Sequence, residues 1–167
     1  MIRFTICILY ILTSVLLLNS CGKPEVYPIE PSITFESIYL NDTIDLLGNE
    51  GKVPVLQFSF IDGDGDIGLL DSDTTGIYDS DSLYHYNLFL TLYKKVNGEF
   101  IELTDLDPPY YYRIPYLGRE GTNRALKGDV YVDMLPLYYD TVKMDFYIVD
   151  RMLHKSNVAT TSELPLK

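Results

Sequence analysis

The sequence predicts an all-β, antiparallel sandwich over residues 32–167, and three observations carry that reading. Apolar and polar residues alternate with a period of two in four separate stretches; an Asn-Gly pair links one of them to its successor; and no long stripe at i, i+3, i+4, i+7 follows residue 21. A chain of 167 residues, 47% of them hydrophobic, has material for one ordinary core and not comfortably for two.

The elements follow in order. Over 54–60, Leu56, Phe58 and Phe60 share one face and Gln57 and Ser59 the other, with Pro54 at the start, where a missing donor is tolerated. Over 86–93, Tyr86, Leu88, Leu90 and Leu92 form a second apolar face, and the chain then turns at Asn97-Gly98 into 99–103. Asn-Gly is a strong hairpin signal because both centres of a type I′ turn need positive φ. Val130, Val132 and Met134 alternate with Tyr131 and Asp133, as Met144, Phe146 and Ile148 do with Asp145 and Tyr147. Weaker patterns at 33–40, 110–114 and 157–161 bring the total to about seven or eight strands, the number of a β-sandwich.

The closing stretch, Leu135-Pro136, the strand from Val142 to Val149, then Asp150-Arg151 and Lys155-Ser156-Asn157-Val158, resembles the last two strands of immunoglobulin-like and fibronectin type III-like domains. The resemblance implies an immunoglobulin-like sandwich with a Leu-Pro corner and a polar loop before the final edge strand. Trp is absent, which excludes the Cys-Trp-Cys core of antibody domains.

Residues 1–20 read as a leader. Arg3 precedes an almost wholly apolar run at 4–18, about 22 Å long as a helix and thus short of a ~30 Å hydrocarbon layer. Leu18-Asn19-Ser20-Cys21-Gly22 resembles the bacterial lipobox, which implies lipidation of Cys21 and cleavage on its N-terminal side. Cys7 then leaves with the leader, and no free thiol or disulfide remains to support the fold. Pro24, Pro28 and Pro31 make 21–31 an extended spacer of roughly 30 Å ahead of the domain at 32–167. Gly22 after the lipidated Cys implies, by the same resemblance, an outer-membrane anchor facing either the periplasm or the cell surface.

Charge excludes several functions. The 24 Asp and Glu against 13 Lys and Arg repel a phosphate backbone, so no nucleic-acid partner is expected. His85 and His154 are the only two histidines and no nucleophile motif is present, so the chain does not read as an enzyme.

One loop concentrates the acidity. From Asp62 to Asp81 there are seven Asp and no Lys or Arg, beginning Asp62-Gly-Asp64-Gly-Asp66-Ile-Gly68 and continuing through Asp71 and Asp73. Carboxylates at alternate positions supply the oxygens a hard divalent cation needs, and without a cation they repel one another. Ile67 at the sixth position and Asp73 at the twelfth depart from the EF-hand loop. The stretch is similar to one in uncharacterised sandwich-type lipoproteins of Gram-negative bacteria, which implies calcium. In an immunoglobulin-like sandwich the loop before the last strand lies at the same end, so Asp150 is the expected distal ligand, with Asn157 and His154 nearby. The expected metal set is therefore Asp62, Asp64, Asp66, Asp71, Asp73 and Asp150, around Ca²⁺.

A second candidate is the dense run Tyr110-Tyr111-Tyr112-Arg113 with Tyr116, the composition of interface hot spots and of sugar-stacking platforms. Taken together, these readings give a lipid-anchored binding module with an envelope protein as partner. The other reading is a glycan-binding accessory of a nutrient uptake system.

Overall fold

The computed structural model describes residues 25–44, 48, 50–104, 106–118 and 125–166; the leader and Cys21 lie outside them. Nine strands occur among the described residues: β1 (Ser32–Ile44), β2 (Glu50–Asp62), β3 (Leu88–Val96), β4 (Glu99–Glu102), β5 (Tyr111–Tyr112), β6 (Leu126–Asp133), β7 (Thr141–Ile148), β8 (Ala159–Thr160) and β9 (Leu164–Pro165). One sheet has the order β1-β2-β6; the other runs β4-β3-β7-β8, with β5 also on β3 and β9 also on β7. All these pairings are antiparallel. The neighbours match an immunoglobulin-like sandwich, with β1, β2 and β6 as A, B and E, and β3, β7 and β8 as C, F and G.

The alternation is what brings the sheets together. Leu56, Phe58 and Phe60 of β2 and Val132 of β6 face Leu88, Leu90 and Leu92 of β3 and Met144, Phe146 and Ile148 of β7, all buried. Phe58 and Phe146 meet with ring centroids 5.2 Å apart and bind one sheet to the other. Truncating either ring to Ala costs about 3–5 kcal/mol. The opposite face of the first sheet is polar: Ser37 donates to Gln57, Gln57 to the Tyr131 hydroxyl, and Ser59 to Glu36.

Four local details differ from the sequence reading or refine it. Asn97 and Gly98 have φ of 52° and 89°, as the β3–β4 turn requires. Pro54 lies within β2, not at its start: it pairs with Leu40, and its carbonyl accepts from Met134 N at 2.9 Å. Its missing donor would face the same neighbour, where β6 has already ended at Asp133. Tyr86 does not share the inner face of β3, because a 3-10 turn at Leu83–His85 resets the alternation and carries its ring to Tyr111 instead. The last strand, expected over 157–161, is shortened to β8, and a further strand, β9, follows it outside the expected range. Between them Thr161 N donates to Met144 O, and Met144 N donates to the Thr161 hydroxyl in place of a carbonyl.

The connection from β2 to β3, residues 63–87, contains two 3-10 turns, at Gly76–Tyr78 and Leu83–His85, and no α-helix. It folds back over the end of the sandwich, where Leu69 forms a parallel bridge with Pro115.

Candidate metal centre

The site begins where β2 stops. Asp62 is the last residue of that strand and fully buried. Its Oδ2 accepts from Asp66 N at 2.7 Å and Ile67 N at 3.2 Å, which turns the chain back on itself. Gly65 and Gly68 have φ of 66° and 94°, a region that favours glycine. At Gly68 a Cβ would also lie 2.2 Å from Pro115 O. Ile67 and Leu69, both buried, fix the loop by plugging into the apolar interior. Asp64 and Asp66 are thereby folded over Asp62.

The fourth carboxylate comes from the far end of the sequence. After β7 the chain makes a tight loop in which Leu153 N donates to Asp150 O and Leu153 takes a φ of 67°. Asp150 is buried, and His154 holds its carboxylate twice: His154 N at 2.8 Å from Oδ1 and His154 Nδ1 at 2.8 Å from Oδ2. One ligand oxygen from each of Asp62, Asp64, Asp66 and Asp150 lies within 4.8 Å of all the others. Oδ1 of Asp62 and Oδ1 of Asp64 are buried and accept no hydrogen bond.

Electrostatics marks the same point. Burial pushes the Asp62 carboxyl up to about 7, the facing Asp64 and Asp66 add to the rise, and the backbone amide of Asp66 only partly offsets it. His154 is raised in turn, mainly by its hydrogen bond to Asp150. A group of carboxylates that cannot all be charged comfortably in isolation has the composition to hold a metal ion.

The remaining predicted ligands are elsewhere. Asp71 is exposed. Asp73 accepts from Leu70 N and forms an ion pair with Arg151 at 2.5 Å. Burial works against the charge on Asp73, but the Arg151 and Leu70 bonds outweigh it and hold its carboxyl below the ordinary value. Asn157 is engaged with both backbone groups of Ile33, at 2.8 and 2.9 Å.

The Tyr run does not converge on one patch. Tyr110 and Tyr112 turn toward the core, their hydroxyls bonded to Pro136 O and Leu135 N, and burial pushes the Tyr112 phenol up to about 12. Tyr111 points the other way, edge-on to Phe89 with centroids 5.0 Å apart. Tyr116 lies under Arg151. Arg113 spends its guanidinium on three carbonyls, His85 O, Leu70 O and Asp73 O, at 2.7, 2.6 and 2.8 Å.

Arg113 is thus an internal clamp for the long loop. Its companions are Asn87, which exchanges two hydrogen bonds with Ile114, and Tyr78, which donates to Arg151 O. None of these had a motif to mark it; the single cue was that an unbroken acidic run needs cations from outside itself. Among the described residues no helix is long and apolar enough to cross a membrane. Comparison with protein families, curated proteins and solved structures finds no match for the chain.

Proposed function

We propose that the chain is a lipid-anchored binding module of the cell envelope whose acidic loop is folded around a calcium ion. The observation that carries the cation is the fully buried Asp62, whose Oδ1 has no hydrogen-bond partner and faces three further carboxylates. Oxygen-only ligands suit a hard cation, and the flexible coordination number of Ca²⁺ fits a loop better than the strict octahedron of Mg²⁺. His154 turns Nδ1 to Asp150, so it braces a ligand. The ion's task is structural, pinning a long loop to one end of the sandwich.

Binding is supported by the outward face of the second sheet. There a buried Phe89 stacks on the half-buried Tyr147 at 5.1 Å, the half-buried Tyr86 and Tyr111 pack over it, and the exposed Lys155 lies 3.6 Å over the Tyr147 ring. Rings that stack on each other leave no parallel pair free for a sugar, which favours an envelope protein over a glycan as partner.

The test of the cation is thermal unfolding of the full chain in detergent, in EGTA and then in Ca²⁺, with Mg²⁺ as control. Ca²⁺ at a hundred times its Kd adds about 2.7 kcal/mol and raises the midpoint by roughly 5–10 °C. The rise disappears in Asp64→Ala and Asp66→Ala. An unchanged midpoint in the parent chain would return the loop to a solvated insertion.

A further inference from the structure

We infer that residues 25–31 form the partner segment of the cation loop, so that ion binding and docking of this segment are one linked equilibrium. The inference rests on the cation reading proposed above, and on the unpartnered, fully buried Asp62 that supports it.

Gly63 joins the loop to this segment. It sits between two of the carboxylates, and a Cβ there would lie 2.1 Å from Pro28 O and 2.4 Å from Tyr27 O. Its φ lies outside the left-handed region, so the backbone does not demand glycine; the close approach of the 27–28 carbonyls does. The residue that sets the spacing of Asp62 and Asp64 is therefore also the seat of the incoming chain.

The sheet that carries Asp62 also holds that chain directly. On the β2 side, beyond Gly63, Lys127 pairs with Glu25 at 3.2 Å and lies 4.0 Å over the Tyr27 ring, and the Tyr27 hydroxyl meets both Glu25 and Lys127. Just past the segment, Asn157 bonds both backbone groups of Ile33 in β1, and Pro31 at the end of the segment is buried. An ion that draws Asp64 and Asp66 onto Asp62 places Gly63 against Tyr27 and Pro28. Without it, nothing draws Asp64, Asp66 and Asp150 together, their charges repel, and the seat is lost. Linkage makes the effect reciprocal: whatever factor the ion adds to docking, docking adds to ion affinity.

The consequence is a change of reach. With 25–31 docked, only residues 22–24 separate Cys21 from the domain, at most about 14 Å; released, the chain to Ser32 extends to roughly 35 Å. Cation occupancy then sets how far the sandwich stands from its anchor, and the acidic end is the one that faces it.

Because the chain has no Trp, Tyr27→Trp supplies a unique fluorophore that preserves the ring under Lys127. The full chain carrying it is titrated in detergent with CaCl₂ after EGTA, reading binding by calorimetry and exposure of residue 27 by acrylamide quenching. The expected result is at least a twofold fall in quenching, with the midpoint of the calorimetric curve. Gly63→Ala weakens Ca²⁺ binding about tenfold and abolishes the quenching response. Lys127→Ala, which alters none of the four carboxylates, weakens it two- to threefold. Calorimetric binding with unchanged quenching, or Gly63→Ala and Lys127→Ala binding as tightly as the parent, overturns the coupling and leaves the cation site standing. No calorimetric binding in the parent chain overturns the cation site itself, and the coupling with it.

Discussion

The loop after β2 has two acidic halves that meet the same problem in opposite ways. In the front half, Asp62, Asp64 and Asp66 face one another, and the Asp62 carboxyl is pushed up to about 7. In the rear half, Asp73 is clamped by Arg151 and sits close to Arg113, and its carboxyl is held down. One composition therefore yields a cluster that could hold a metal ion and a place already neutralised from within. The difference lies in what the rest of the fold presents: Asp150 to the front, two guanidinium groups to the rear.

The pH dependence separates the halves most strongly. Below the ordinary value of 3.8 the Asp62 carboxyl is protonated whether the chain is folded or not. Between there and about 7 the unfolded chain releases that proton while the folded one keeps it, so the ion-free protein loses stability as pH rises through this window. The loss reaches up to about 4 kcal/mol, since each tenfold difference in proton affinity between the folded and unfolded chain is worth about 1.4 kcal/mol. Urea unfolding in EGTA from pH 4 to 8 measures it, and Asp62→Asn flattens the slope. Asp73 has the reverse sign: its contribution is present above the ordinary carboxylate value and is lost as pH falls below it.

The next effect breaks the rear half. Arg113→Ala leaves His85 O and Asp73 O without their donor and Leu70 O with only the Asp73 amide, and lowers stability by about 3 kcal/mol, equally in EGTA and in Ca²⁺, because the clamp is separate from the four facing carboxylates. A larger loss in Ca²⁺ than in EGTA would show that the two halves are one unit. The smallest effect sharpens the front. His154→Ala removes the ring half of the Asp150 brace, leaving the backbone N–H of residue 154 on Oδ1, and raises the Ca²⁺ Kd about tenfold, read by calorimetry, with little change in ion-free stability.

These halves were not equally legible. Asp62, Asp64 and Asp66 stand out because their spacing is local and alternate. Asp150 could be placed beside them only through topology, since the loops after the second and before the last strand of such a sandwich share an end. Arg113 has the composition of a partner-facing residue, and its actual contacts are backbone carbonyls, which leave no mark in a sequence. The core strands were plain from Leu56, Phe58 and Phe60 and from Met144, Phe146 and Ile148, where burial on one side forces a period of two. Strand β9 was not, because two residues carry no period, and the seat of Tyr27 and Pro28 on Gly63 was hidden for the same reason as the Arg113 contacts.

Strand β1 lies at a sheet edge, and thirteen residues is long for such a position. Its register slips between Phe35 and Ser37, and its start is covered by the Asn157 amide on both backbone groups of Ile33. A slipped register bends the strand away from a straight template, and the covered start gives a second chain no ladder to extend. The exposed remainder passes through Asn41, Asp42 and Thr43, where charge and polarity disfavour stacking of like strands. Pairing of two crowded copies through β1 is thereby disfavoured.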